Sequence, residues 1–175
     1  MASRAGEGSA GRRILRLWRR LAPVPGGRWL FHRILFRLVP YSGSTGARVT
    51  TLEPGRADVR LPDRRAVRNH LRSIHALALA NVGELASGLA MLTALPTGVR
   101  GIVTGLEIDF HAKARGTVTA SARPAVPVVD GSTGSVEHRV RAEIRNEEGE
   151  VVATTHVRWR LSPVATGETS AREAP

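Results

Sequence analysis

The sequence predicts an α+β domain in which one long central helix is wrapped by a curved antiparallel sheet of five to six strands. One segment, residues 74–95, is apolar nearly all round and long enough for about six helical turns. Six stretches in which apolar and polar residues alternate lie before and after it. Two short amphipathic helices precede them all. These periods indicate two helices, a hairpin, the long helix and then a meander of strands.

The chain is the right size for one such domain. Its 175 residues, 42% of them hydrophobic, bury one sizeable core and are too few for two ordinary domains with tails. The polar ends, residues 1–11 and 163–175, are expected to be disordered. Residues 12–40 then form a basic helical arm, and residues 41–162 form the folded domain.

The net charge of +11 comes mostly from the arm, because residues 1–40 contain nine Arg and one Glu. The arm has no interleaved aromatic residues on strands, so a nucleic-acid partner is not predicted. The absence of cysteine excludes disulfides and thiolate metal sites, and a cytoplasmic location is the default expectation. Neither a membrane span nor a secretory signal is predicted, because polar and charged residues interrupt each apolar run.

The arm contains two basic amphipathic helices, at residues 12–21 and 28–38, separated by Pro and Gly residues. Two interpretations are open. In the first, which is the commoner use of such helices, their apolar faces cap the domain. In the second, residues 12–38 make a peripheral contact with the anionic inner face of a membrane.

A turn signal, Glu53-Pro54-Gly55, marks a hairpin between strands at residues 48–52 and 56–61. A lone helix buries both its own apolar surface and one face of an antiparallel sheet only if the sheet curls around it. This is the hotdog arrangement. The remaining strands are predicted at residues 102–110, 117–122, 136–144 and 151–161.

Glu84 is the most informative residue of the long helix. It is a carboxylate in the middle of an otherwise apolar segment, and burying such a group is costly unless it is hydrogen-bonded or functional. A glutamate partly exposed at a subunit rim would not carry this cost. The residues alone therefore leave two interpretations, a reactive carboxylate or a rim residue.

The segment that leads to Glu84 resembles the signature of the hotdog thioesterases related to the phenylacetate-degradation enzymes. Asn69 precedes His75 by six residues, His75 opens the helix, and Glu84 follows nine residues later. The resemblance covers roughly residues 41–162 and is closest to an uncharacterised branch of that superfamily.

The resemblance implies an acyl-CoA hydrolase. Glu84 would be the nucleophile or general base, and the backbone N–H of Ala76 would be the oxyanion donor. Asn69 and His75 would support the loop. The chain departs from the family pattern at Ala76, where Gly is usual, so the approach of substrate to the backbone is altered. It also lacks the family's Ser on the strand after the helix, and Thr104 would replace it only if the register shifts by one residue.

Helical geometry predicts that the site needs two chains. Nine residues at about 100° each place His75 and Glu84 on opposite sides of the helix, about 13 Å apart along its axis. A site built from both must draw them from two subunits, so a homodimer or a dimer of dimers is expected. The helix N-terminus suits a developing oxyanion because its N–H groups are unpaired.

Basic residues near the helix start and the following turns are candidates for contact with the phosphates of a coenzyme A substrate. His70 and His111 do not combine with His75 and a carboxylate at a metal-ligand spacing, so neither a metal nor a cofactor is predicted. The basic candidates are Arg72, Lys113, Arg115 and Arg123.

The leading expectation is hydrolysis of an acyl-CoA or a related acyl thioester. A hydratase or dehydratase of the same fold would need a His and a carboxylate placed to move a proton and water across a double bond. The spacing of Asn69, His75 and Glu84 fits a thioesterase better. The alternative that is not an enzyme is an acyl-thioester or lipid-binding module. In this module Ala76 weakens the oxyanion site, and the basic arm attaches the protein to a membrane.

Overall fold

The computed structural model describes residues 10–127, 129 and 134–164. Three helices come first, followed by a hairpin, the long helix and four strands. The helices are α1 (Ala10–Leu21), α2 (Gly27–Leu38), α3 (Pro40–Ser44) and α4 (Ala76–Ala94). The strands are β1 (Arg48–Glu53), β2 (Arg56–Leu61), β3 (Val99–Phe110), β4 (Val118–Ala122), β5 (Val136–Arg145) and β6 (Val151–Pro163).

The six strands form one antiparallel sheet in the order β1-β2-β4-β5-β6-β3. Strands β1 and β3 are therefore the two edges of this sheet. Helix α4 contacts all six strands, and most of its side chains are buried. The α+β hotdog fold predicted from the sequence is confirmed.

The backbone of α4 comes close to β6 at Gly83. A β-carbon on Gly83 would overlap the side chain of Thr155, which is fully buried on β6. Glycine here lets the helix backbone approach the sheet more closely than any other residue would. The helix is long and apolar enough to span a membrane, but most of it is buried inside the domain, as a core helix is.

Helix α4 is shorter at both ends than the predicted 74–95. His75 has extended backbone, with φ −65° and ψ 142°, and its Nδ1 accepts a hydrogen bond from the N–H of Leu77 at 3.1 Å. His75 is therefore the N-cap, and the helix begins at the next residue. At the other end Leu95 precedes Pro96, and a proline ring disfavours helical conformation in the residue before it.

Helices α1 and α2 belong to the hydrophobic core. Trp18 and Phe31 are buried and meet edge to face, with their ring centres 4.9 Å apart. His32 connects α2 to the sheet, because its Nε2 accepts a hydrogen bond from the N–H of Val49 on β1 at 2.8 Å. Burial lowers the pKa of His32, which favours the neutral ring that this acceptor role requires.

The segments expected to be disordered, residues 1–11 and 163–175, overlap the helices and strands at their inner ends. Gly11 is in α1, where a β-carbon would overlap the carbonyl oxygen of Leu92, so the crossing of α1 over α4 needs a glycine. Pro163 extends β6 by pairing with β3. Residues 1–9 and 165–175 lie outside the described residues, and their disorder stays a prediction.

Removal of the Phe31 ring should destabilise the whole domain. Phe31 is 0% exposed, so Phe31→Ala is expected to lower the free energy of unfolding by about 3–5 kcal/mol through lost burial and a cavity. Trp29→Ala is the matched control, because Trp29 lies on the same helix and is exposed; its effect should stay below about 1 kcal/mol. Chemical denaturation measures both, and two equally small effects would show that α2 is not part of the core.

Candidate functional site

Asn69 holds together a closed loop just before α4. Its side-chain Oδ1 accepts hydrogen bonds from the N–H groups of Leu71 and Ser73, at 2.9 and 3.1 Å. Its backbone N–H donates to the carbonyl of Ser73 at 2.8 Å, and its carbonyl accepts from the N–H of Arg72 at 3.1 Å. Arg72 turns the chain with a left-handed φ of 58°. One side chain thus fixes the path of the backbone that leads to the helix.

The amide N–H of Ala76 has no hydrogen-bond partner among the described residues. The backbone before it is anchored twice: Ile74 donates to the carbonyl of Ala114, and His75 donates to the carbonyl of Val67, both at 2.8 Å. Ala76 is the first residue of α4, so its N–H lies at the helix N-terminus, where partial positive charge is concentrated. This N–H is placed to stabilise an anionic oxygen.

A cleft of about 230 Å³ opens beside Ala76. Asn69, Ala76 and Lys113 line it, so three of the predicted site residues come together there. Most of the remaining wall is apolar and includes Leu79 of α4 and Phe110 of β3. The cleft therefore offers room for an apolar group next to the N–H of Ala76 and the cation of Lys113.

An ion pair that sequence reasoning missed supports the loop before α4. Arg68 donates to both carboxylate oxygens of Asp63, at 2.6 and 3.0 Å. Asp63 also accepts a hydrogen bond from the N–H of Gly116 at 3.2 Å, which ties this loop to the turn before β4. The hydrogen bond from Arg68 lowers the pKa of Asp63 below its ordinary value. No sequence motif marks these residues, because the fold alone makes them partners.

Glu84 lies half-buried on α4 without a cation nearby. In the described part of the chain no residue forms an ion pair or side-chain hydrogen bond with its carboxylate, and burial alone raises the pKa of Glu84. Gly88 leaves space beside it: the position of a β-carbon there is 3.8 Å from Glu84 Oε1 and 3.6 Å from the indole of Trp159. A half-buried carboxylate fits both interpretations from the sequence, a reactive group and a partly exposed residue at a subunit rim.

One chain does not bring Glu84 to the cleft. Glu84 is not among the residues that line it. It follows Ala76 by eight residues, which corresponds to about 12 Å along the helix axis. Within one chain, Asn69, Ala76 and Lys113 therefore line the same cleft, and the carboxylate of Glu84 lies outside it.

The other predicted substrate-binding residues lie outside the cleft. Arg72, Arg115 and Arg123 are exposed and do not line it. Thr104 sits at a bulge where the pairing of β3 with β6 shifts by one residue, between Val103 and Gly105. Its Oγ1 donates to the carbonyl of Arg158 at 3.4 Å, outside the residues that form the cleft.

The histidines near the site have structural contacts. His75 Nδ1 caps α4, and His111 Nε2 lies 2.9 Å from the Oγ1 of Thr154. Within residues 10–127, 129 and 134–164, no three His, Asp or Glu side chains are close enough to hold a metal ion. The surroundings of Ala76 offer hydrogen-bond donors and a cation.

The sequence pattern of the family described as Domain of unknown function (DUF4442) matches residues 27–161. The match begins at the first residue of α2, whereas the resemblance seen in the sequence begins at about residue 41. The earlier start agrees with the structure, because Phe31 and Leu35 of α2 are buried in the core of the domain. No curated protein matches the chain.

Solved structures share the fold. One structural-genomics crystal structure superposes with a TM-score of 0.73, at 26% identity over 88% of this chain and 99% of the other. A probable thioesterase from Pseudomonas aeruginosa superposes with a TM-score of 0.67, at 26% identity over 80% and 97%. The phenylacetic acid degradation protein from Thermus thermophilus superposes at 0.58, with 21% identity over 69% and 97%. The resemblance to hotdog thioesterases is confirmed at the level of fold.

Glu84→Gln should change stability in a pH-dependent way. Because burial raises the pKa of Glu84 in the folded state, ionising this carboxyl costs stability. The cost is absent below the pKa of an unfolded glutamate, about 4.3, and grows as the pH rises towards the higher folded pKa. Glu84→Gln should therefore raise the melting temperature at neutral pH, and the gain should vanish as the pH falls through that window.

Glu148→Gln is the control for this measurement, because Glu148 is exposed and its substitution should change melting little at any pH. Thermal unfolding of both variants across the pH range gives the comparison. A Glu84→Gln protein that melts below the parent at neutral pH would mean that the carboxylate has a cationic partner in solution.

Proposed function

The chain belongs to the DUF4442 family, and we propose that it hydrolyses acyl thioesters, with acyl-CoA as the substrate class. The observation that carries the proposal is the N–H of Ala76 at the start of α4, which lies beside an apolar cleft and has no partner in the part of the chain that the structure describes. An N–H in this position stabilises the oxyanion that forms when a thioester carbonyl is attacked. Likeness to a probable thioesterase supports the same reaction class.

The proposed active unit is a homodimer formed along β3. This strand is an edge of the sheet, and Ile102, Leu106 and Phe110 expose large apolar side chains on it. Such an edge offers unpaired backbone groups and apolar surface to a second copy. Phe110 also lines the cleft, so a subunit paired along β3 would lie beside Ala76. Two-fold symmetry then gives two sites, each with Ala76 from one subunit and the partner's Glu84.

The proposed chemistry uses these two groups. The carboxylate of the partner's Glu84 takes a proton from water, and the water oxygen bonds to the carbonyl carbon of the thioester. The N–H of Ala76 stabilises the resulting oxyanion. The C–S bond then breaks, and the leaving thiolate takes up a proton, giving a free acid and a free thiol. Because burial raises its pKa, Glu84 is a stronger base than an exposed glutamate. Direct attack by the carboxylate on the carbonyl carbon is the alternative route.

A second cleft, of about 450 Å³, is the proposed place for the acyl chain. It lies near the end of α4, and Leu95 and Gly101 are among its mainly apolar lining residues. Trp159 links it to Glu84: the indole lies 3.6 Å from the β-carbon position of Gly88 and 3.2 Å from that of Gly101. Pockets that bind small molecules usually measure roughly 300–1,000 Å³, so the volume of this cleft suits an apolar ligand of that size. This favours an extended acyl chain as substrate.

Ala76→Pro should remove the proposed oxyanion donor with little effect on the helix. Proline lacks the N–H, and it is favoured at the first helical position, which Ala76 occupies. The extended backbone of His75 is the conformation that a following proline requires. We expect Ala76→Pro to keep the parent's melting temperature and to lower the rate of thiol release from acyl-CoA by about 100-fold or more.

Two further variants complete this measurement. Glu84→Gln should lose turnover by a similar factor, about 100-fold or more, through loss of the base. Ala76→Gly keeps the N–H and gives the substrate more room, so it should raise turnover. Full activity in both Ala76→Pro and Glu84→Gln would refute the site. The binding module would be favoured if neither the parent nor Ala76→Gly releases thiol while calorimetry still detects binding of acyl-CoA.

Mixing two inactive variants should restore activity if each site uses two chains. In a heterodimer of Glu84→Gln and Ala76→Pro subunits, one site combines an intact Ala76 with an intact Glu84, and the other contains both changes. Heterodimers isolated with two different affinity tags should recover about half of the parent's activity. Homodimers of each variant serve as controls. No recovery in the heterodimer would place both groups in a site within one subunit.

A further inference from the structure

We propose that the outward side of α2, together with the start of α3, docks on an anionic phospholipid surface. This inference does not depend on the proposed hydrolase activity. The surface, called here the α2 outer face, consists of Trp29, Leu30, Arg33, Arg37, Leu38 and Tyr41.

Helix α2 carries apolar side chains on two sides. Phe31 and Leu35 are buried in the core, which accounts for the capping role of the helix. Trp29 and Leu30, on the outward side, are 62% and 42% exposed, and Leu38, the last residue of the helix, is 68% exposed. A helix that only caps a domain needs one apolar side. The second side, with Trp29 and Leu30 exposed on it, has the character of an interaction surface.

The charge of this region is complementary to an anionic partner. Residues 10–52 contain nine arginines and no Asp or Glu. Arg33 and Arg37 alternate with the exposed apolar residues, and the Arg33 guanidinium lies 5.3 Å from the ring centre of Trp29. Among the described residues neither arginine forms an ion pair with a carboxylate. Their charges are therefore available to a partner.

A cleft of about 440 Å³ opens beside the α2 outer face, towards the start of β1. Arg33, Arg37 and Arg48 line it together with Trp29. Guanidinium groups bind phosphate through paired hydrogen bonds, so three of them around one opening suit a phosphate group. The cleft fits the headgroup of an anionic phospholipid, while Leu30 and Leu38 reach the apolar layer of the membrane.

The α2 outer face is remote from the edge used in the proposed dimer. His32 ties α2 to β1 through the N–H of Val49. Strands β1 and β3 are opposite edges of the sheet, so pairing along β3 leaves this face uncovered. Membrane docking and dimer formation are therefore compatible.

The mixture of arginines and aliphatic residues favours lipid over other occupants. A second copy of the same face would bring arginines against arginines. A nucleic acid would pair with the arginines, but it would leave Leu30 and Leu38 exposed. A membrane interface binds basic groups at its surface and apolar side chains below it.

Co-sedimentation with vesicles tests the proposal. The parent should pellet with vesicles of equal parts phosphatidylcholine and phosphatidylglycerol, and far less with phosphatidylcholine alone. Arg33→Gln/Arg37→Gln should weaken binding by about tenfold or more. The matched control, Arg139→Gln/Arg141→Gln, removes the same charge from exposed positions on β5 and should bind nearly as the parent does. Leu30→Ser/Leu38→Ser should weaken binding without any change in charge.

Tryptophan fluorescence supplies an independent signal. Trp18 and Trp159 are buried, so a blue shift of the emission on addition of vesicles reports on Trp29. Trp29→Phe should abolish the shift and retain most of the binding. All substituted positions are exposed, so melting temperatures should stay close to that of the parent.

Equal binding by the two arginine pairs, or equal binding to both kinds of vesicle, would overturn the proposal. One other result would assign the α2 outer face to nucleic acid. In that case Arg33→Gln/Arg37→Gln would lose binding to an oligonucleotide, and Leu30→Ser/Leu38→Ser would keep full vesicle binding. Thiol release from soluble acyl-CoA should be the same in all these variants as in the parent, and Glu84→Gln should bind vesicles as the parent does. Failure of membrane docking is thus distinguishable from failure of the proposed hydrolase.

Discussion

The close approach of α4 to β6 at Gly83 is the contact on which the rest of the structure depends. With no side chain at this position, the helix lies directly against Thr155, and all six strands share in its burial. A β-carbon would push the helix away from the sheet. Both the place of Ala76 beside the cleft and the depth of Glu84 would then change, so the candidate site is set by helix–sheet packing.

The buried helix creates two unusual polar groups. At its start, the loop held by Asn69 leaves the N–H of Ala76 unpaired among the described residues. In its middle, burial raises the pKa of Glu84. The carboxylate costs the folded protein some stability, because a polar group loses hydration when it is buried without a partner. Costs of this kind are expected where a ligand supplies the missing partner, and our proposal assigns both groups to one reaction.

The sequence by itself determined the order and type of the main elements. All six strands were predictable because apolar and polar residues alternate along them, as they do in strands that bury one face. The N-cap role of His75 and the loop around Asn69 were also within reach, since their hydrogen bonds join residues at most four positions apart. Glu84 stood out because a carboxylate interrupts an apolar helix. The short helix α3 was not predicted, because five residues show no helical period.

Only the tertiary structure decided which distant residues meet. It brought Lys113 to the cleft with Asn69 and left Arg72 outside, although all three were candidates. It made Asp63 the partner of both Arg68 and Gly116. It also left Trp29 and Leu30 of α2 exposed, although the sequence predicts a helix whose apolar face is turned inward. These outcomes depend on strand register and on the packing of elements far apart in the chain, and a local pattern of residue types carries no record of either.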